Sequence, residues 1–178
     1  MIELVKQNFE KNKKLYSNIE KELKINLGDN RPITHVGSTA IPNMYGKNII
    51  DILIGALNFD ELEEITASLI NMGYFVSKSK VDIYRFFSST EEETASGDIH
   101  IHLVILDTER YQEFIILKTY LLCNQLEAKN YSEFKKKIVK KNVKEREKYK
   151  MVKSEYVSNL ILRAKINYSN QINKDILL

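Results

Sequence analysis

With 178 residues, 43% of them hydrophobic, the chain has material for one core, and a second independent core is not expected. A formal charge of +3, from 27 Lys and Arg against 24 Asp and Glu, is too small a surplus to require a nucleic-acid partner. The longest strongly apolar run, Ile49 to Leu57, is interrupted by Asp51 and is far too short to cross a bilayer. The N-terminus lacks the uninterrupted hydrophobic stretch of a signal peptide, and Cys123 is the only cysteine, so no internal disulfide can form. A cytoplasmic protein with no membrane partner is expected, with Cys123 as a small buried hydrophobe.

Taken in chain order, residues 1 to about 27 carry Leu4, Phe9, Leu15, Ile19, Leu23 and Leu27 at spacings of mostly four, the stripe of an amphipathic helix that Gly28 stops. Ile33 to Val36 is a short strand entering Gly37-Ser38. The stretch from Ser38 to Asn48, with Pro42, Asn43 and Gly46, is a turn holding at most one helical turn. Ile49 to Ala56 is a continuous apolar strand with one acid, which places it centrally in a sheet. Asp60 caps a helix through about Met72, with Leu62, Ile65, Leu69 and Ile70 on one face and Gly73 ending it.

Tyr74 to Ser88 alternates as one or two strands with a turn near Lys78 to Lys80. Ser89 to Gly97 is a polar, acidic loop, expected to be mobile, and Asp98 to Leu106 is a strand. Helical patterns then cover Tyr111 to Ala128, Tyr131 to about Val143 and Glu145 to about Ile166. The expected architecture is an α/β (α+β) fold in one domain over residues 1–178. Its mixed sheet lies in about 30–107, flanked by helices, and its helical part in about 110–166.

Two constellations carry chemistry. In the first, Gly37 after a strand permits close backbone approach to a ligand. The hydroxyls of Ser38 and Thr39, with the N–H groups of a following turn, make an anion-binding corner to which Lys47 adds charge. Asp51, inside an apolar strand, needs a metal or a cationic side chain to offset the cost of burying its charge. The plainer alternative is an ordinary Gly-Ser turn. In the second, Asp98, His100 and His102 alternate along one strand, so their side chains share a face while Ile99 and Ile101 point to the core. Two imidazoles so spaced suit a metal ion or a phosphate, and a solvent-facing sheet edge is the alternative. His35, before the Gly-Ser corner, reads either as part of the site or as a hydrogen-bonded core residue. Arg85, between aromatics, either clamps a phosphate or carboxylate with two hydrogen bonds or forms a salt bridge to Asp51 or a glutamate. The basic run from Phe134 to Lys153 fits the solvated faces of two amphipathic helices, with an RNA-binding face as the lesser alternative.

The block His35 to Leu53, HVGSTAIPNMYGKNIIDIL, resembles the GrpB family, a branch of the DNA polymerase beta-like nucleotidyltransferase superfamily. The family pattern reads about H-[IV]-G-S-T-[AS]-[VI]-P-G-[LM]-x-[AG]-K-x-[IL]-I-D-[IL], with Asn43 here where glycine is usual. Gly73-Tyr74, Arg85-Phe86-Phe87, His100 to Val104, Tyr131 to Lys135 and the helix with Tyr149, Lys153, Tyr156 and Ala164 match later family features, so the likeness runs from about Asn8 to Ala164. One segment departs: Leu117-Lys118-Thr119-Tyr120-Leu121 replaces an F-R-D-Y-L pattern, exchanging an Arg-Asp pair for Lys-Thr.

The resemblance implies a metal-dependent nucleotidyltransferase that moves a nucleoside monophosphate from an NTP to an acceptor. Asp51 would hold a divalent ion (Mg²⁺ or Mn²⁺, with Zn²⁺ as an alternative), and Gly37, Ser38, Thr39 and Lys47 the triphosphate. His35 and Arg85 would join Asp51 in catalysis. The superfamily's second acid is missing, because the same-face position after Asp51 is Leu53. His100 and His102 stand where a third acid is expected, so Asp51, His100 and His102 form a candidate metal set. A two-metal clamp wants several bridging oxygens, which one aspartate does not supply. The alternative function is a degenerate module, with a single metal ion or none, that binds a nucleotide or another phosphorylated small molecule without transferring it. The acceptor and the oligomeric state stay open.

Overall fold

The computed structural model describes residues 3–78, 81–91, 97–141 and 146–176. The chain opens with a two-residue strand, β1 (Val5–Lys6), before helix α1 (Phe9–Leu27), so the first helix starts later than its apolar spacing predicts. The cause is local. Gln7 donates to the carbonyl of Gly46 over 2.9 Å and accepts from Asn12 over 3.0 Å, tying the N-terminal segment to strand β3 (Tyr45–Gly46), which pairs with β1. Asn8 then caps α1 by accepting the Lys11 N–H, and Gly28, at φ 91°, closes it. The buried face is Asn12, Leu23 and Leu27 with Tyr16 and Ile19 beside them, whereas Leu15, expected in that stripe, is 42% exposed. Truncating Leu23 to alanine would cost about 2–5 kcal/mol, the usual penalty for emptying a core site.

Five strands form the main sheet in the order β2 (Ile33–Val36), β4 (Ile50–Ala56), β7 (Ile99–Ile105), β6 (Tyr84–Ser88), β5 (Phe75–Val76). Only the β4–β7 pair is parallel, so the sheet is mixed, and β4 sits inside it as the continuous apolar run predicts. The β4–β7 register sets Asp51 beside His100 and Leu53 beside His102. Alternation then sorts the side chains. Ile33, Ile50, Ile52, Ile54, Phe87, Ile101 and Leu103 pack on α1 and on helix α2 (Phe59–Asn71). Val36, Leu53 and Val104 pack on the other side, against Phe114 and Ile115 of helix α3 (Glu109–Cys123). Helix α2 is capped by Asn58 rather than Asp60, and Ile70 is 47% exposed, off the buried face of Leu62, Ile65 and Leu69.

Helices α3, α4 (Gln125–Lys141) and α5 (Arg146–Ile176) bury a second cluster that includes Tyr120, Leu121, Ala128, Tyr131, Leu160 and Ala164, closed on the sheet side by Ile41 and Met44. Apolar burial among the described residues thus gathers in clusters on both sides of the sheet and between the C-terminal helices. The break between α3 and α4 lies at Asn124, which caps α3 with its backbone N–H and with its side chain, both given to the Tyr120 carbonyl. The helical pattern of the sequence continues to Ala128 and does not show this break. Cys123, expected to be buried, is exposed at this junction. No described helix is long and apolar enough to cross a membrane. Most of the acidic loop between β6 and β7, part of the turn before β6, and the end of the tail lie outside the described residues.

Candidate functional site

The site forms where β2 ends. Gly37, at φ 74°, turns the chain into one 3-10 turn, Ser38–Ala40. An added Cβ at Gly37 would run into the Asp51 carboxylate, so glycine is required here both for backbone freedom and for space. Gly46 has a similar role. A Cβ there would come within 2.6 Å of the Ser38 Cβ and 2.9 Å of its Oγ. Asn43, in place of the usual family glycine, adopts φ 58°, a left-handed conformation that asparagine tolerates better than most residues.

A cleft of about 380 Å³ opens against this corner. Gly37, Ser38, Asp51, His100 and His102 line its sheet side, and Arg110, Lys118, Tyr131 and Lys153 contribute from the three C-terminal helices. Asp51 Oδ1 lies 3.4 Å from His100 Nδ1 and 3.9 Å from His102 Nε2, and the other ring nitrogen of His102 is 2.9 Å from the Tyr84 hydroxyl. Burial pushes the Asp51 carboxyl up, but hydrogen bonding to the two imidazoles and their charge outweigh it and hold the group below the usual carboxylate range. Burial also lowers His102, against the pull of Asp51. The convergence of the mid-strand acid, the two imidazoles and the serine-bearing turn on one cleft follows from the parallel β4–β7 register.

Other expected site residues go elsewhere. His35 pairs with Ile52, one residue out of phase with Asp51, and so faces α1. Its ring stacks on Tyr16 at 4.7 Å and its Nε2 is 2.9 Å from Thr39 Oγ1. Burial first, and Lys118 second, lower its pKa to about 4, so the buried ring is neutral at pH 7. The core reading of His35 therefore describes its position better than a catalytic one. Thr39 is fully buried, and its hydroxyl donates to the Ile49 carbonyl over 3.1 Å. It braces the turn instead of facing the cleft.

Arg85 pairs with Leu103, on the α2 side of the sheet. Its guanidinium donates to Glu63 Oε1 over 2.5 Å and to the carbonyls of Val81 and Tyr84. That is the glutamate salt bridge, on the face away from Asp51, and it corrects the placement of Arg85 in the site. Lys47 does not line the cleft; its carbonyl accepts from Gln7 near β1. Asp98 lies just before β7 and is exposed, outside the His100–His102 cluster.

The lysine that does meet the corner is Lys135 of α4, 2% exposed, whose Nζ lies 2.6 Å from Ser38 Oγ and 4.6 Å from the centre of the Tyr131 ring. Desolvation first, and the nearby Lys153 second, lower it to about 7, with Asp51 pulling the other way. Lys135 belongs to a lysine run whose pattern fits a solvated surface, yet it is buried. A signal was present all the same: Ala128, Tyr131, Lys135 and Ile138 recur at spacings of three and four, and all four are buried. Lys118 lines the cleft at the point where the sequence departs from the Arg-Asp pattern, and burial lowers its pKa.

The divalent ion implied by the resemblance does not fit this donor set. Asp51 is the one carboxylate at the centre, Leu53 occupies the next same-face position with no exposure, and the imidazoles are engaged with Asp51 and Tyr84. Among the described residues, no group of three or more His, Cys, Asp or Glu is arranged to hold a metal ion. The set Asp51, His100 and His102 is brought together, with Asp51 Oδ1 between the two rings.

The family model described as GrpB protein matches residues 2–163. The chain belongs to the GrpB family. Glutamate-rich protein GrpB of Alkalihalophilus pseudofirmus is 28% identical over 153 residues, covering 84% of this chain and 88% of that protein. A UPF0157 protein of Halalkalibacterium halodurans is 25% identical over 152 residues, covering 85% of this chain and 76% of its own length. The crystal structure of the conserved protein GrpB from Enterococcus faecalis superposes with a TM-score of 0.79 at 20% identity, covering 93% of this chain and 99% of that one. That likeness shows a shared fold.

Proposed function

We propose that this GrpB-family chain binds a nucleotide or another phosphorylated small molecule in the cleft beside Gly37 and Ser38, without the paired metal ions of nucleotidyl transfer. The observation that carries the reading is a surplus of cations over acids on the cleft wall. Arg110, Lys118 and Lys153 line it against Asp51 and Glu113, the latter paired with Arg110 over 3.4 Å, and the central strand offers one carboxylate and then Leu53. Lysine and arginine at the rim of a partly enclosed space attract a phosphate dianion more strongly than they would in open water. The other side of the cleft supplies Phe114, Leu117, Leu121, Val157 and Ile161, an apolar wall suited to the organic part of such a ligand. Nucleoside monophosphate transfer, which the family resemblance implies, needs oxygen ligands that Asp51 alone does not provide.

Thermal unfolding with ATP, GTP, a nucleoside monophosphate and inorganic phosphate, each with and without Mg²⁺ or Mn²⁺, tests this. A rise in Tm that persists in a chelator supports the reading. A response that appears only with a divalent ion, together with labelling of an acceptor that Asp51→Asn abolishes, would replace it with metal-dependent transfer. No response to any phosphate compound would remove both.

A further inference from the structure

We infer that Ser38 is a nucleophile activated by Lys135, and that the cleft performs phosphoryl transfer through a covalent phosphoserine. The inference rests on the reading of the cleft as a phosphate-ester site but adds a reaction to it. Three geometric observations carry it. Ser38 lines the cleft, so its hydroxyl can reach a bound ligand. Lys135 Nζ stands 2.6 Å from that hydroxyl across 97 residues of chain, a contact made by one helix projecting a lysine through an apolar face. And the corner is shaped around the serine, since Gly46 leaves room for its Cβ and Oγ where any larger residue would collide.

A lysine placed only to hold a phosphate works best fully charged. Lys135 is set up differently. It is 2% exposed, and among the described residues no carboxylate forms an ion pair with it; its neighbours are Ser38, the Tyr131 ring of its own helix, Lys153 from α5 and, further off, Asp51 from β4. Burial and Lys153 favour the neutral amine and Asp51 opposes them, leaving the group near 7. A neutral amine within hydrogen-bond reach of a serine is the arrangement by which lysine serves as general base in serine–lysine enzymes.

In the reaction, Ser38 Oγ attacks the phosphorus of a phosphate ester or anhydride held among Arg110, Lys118 and Lys153. The Oγ–P bond forms as the bond from phosphorus to the leaving oxygen breaks. The serine proton passes to Lys135, which holds it, and the departing oxygen, in line with Oγ on the far side of phosphorus, keeps the bonding pair and takes a proton from solvent in the open cleft. Water then attacks the phosphoserine from that far side, loses a proton to solvent, and releases phosphate as Ser38 Oγ takes back the proton held by Lys135. The cleft cations offset the charge that gathers on the phosphoryl oxygens.

The test is a fluorophosphonate probe, a phosphorus electrophile that needs no cationic site, read by intact mass and peptide mapping on the full chain. The expected result is one adduct on Ser38, forming faster as pH rises through about 7. Labelling should be absent in Ser38→Ala and slowed about 100-fold or more in Lys135→Met, the usual scale of a lost general base. Lys135→Arg separates the two roles of the lysine: arginine keeps a cation for phosphate but does not accept a proton, so binding should survive and labelling should fall. No adduct on Ser38 in a protein whose circular dichroism is native, or equal labelling of Lys135→Arg and the parent, overturns the inference. The Tm response of Ser38→Ala to phosphate esters is read in parallel, so loss of the covalent step is told apart from loss of the binding site.

Discussion

The two faces of the central sheet are made by alternate residues of the same strands, yet they obey different rules. On the face toward α1 and α2, polar groups are sealed by partners. His35 is stacked and hydrogen-bonded, and Arg85 is held by Glu63 and two carbonyls. On the opposite face Asp51, His100 and His102 are clustered but open to a cleft, and the cations around them come from helices far along the chain. A buried polar group that is fully satisfied serves the fold, whereas one left facing solvent among charges is available to a ligand.

The largest effect expected from breaking this contrast is at their junction. Gly37→Val would combine a disfavoured positive φ with a collision at the Asp51 carboxylate, and should cost on the order of 4 kcal/mol or prevent folding, measured by urea denaturation. Next comes acid. His35, at about 4 in the fold and 6.5 when unfolded, binds more protons in the unfolded chain between those values. Its contribution to stability is therefore complete above about 6.5 and is lost as pH falls toward 4, on the order of 3 kcal/mol in all. Denaturant midpoints at pH 7 and pH 4.5 measure it, and His35→Gln should flatten the difference.

Arg85→Ala leaves two backbone carbonyls and Glu63 without their donor and should cost about 2 kcal/mol, with the Tm response to phosphate esters intact. If that response disappears in a folded variant, the separation of the two faces fails. Smallest in stability is the cleft itself. Lys118→Ala with Lys153→Ala should change unfolding free energy by about 0.5 kcal/mol or less, yet weaken binding of a phosphate ester about tenfold by calorimetry.

Much of this was legible in the sequence because strand alternation is a local property. The period of two put His100 and His102 on one face, and the apolar run around Asp51 marked an interior strand. The same rule, applied to His35, would have set it out of phase with its neighbour Val36, but only the pairing of Val36 with Asp51 reveals which phase faces the cleft. Thr39 and Lys47 lie in a turn with no period to read, so hydroxyl and charge alone marked them. Their true positions depend on hydrogen bonds to Ile49 and Gln7.

By itself, then, the amino-acid order determined the family through the block from His35 to Leu53, the principal strands and helices through their periodicities, and the lack of a second acid at Leu53. Tertiary structure decided which strands became neighbours, that Arg85 faces away, and that a lysine in a basic run is buried against a serine 97 residues earlier. The physical reason is that periodicity fixes a residue's direction only relative to its own element. The partner in that direction, and the water removed between them, is set when sheet and helices close on each other.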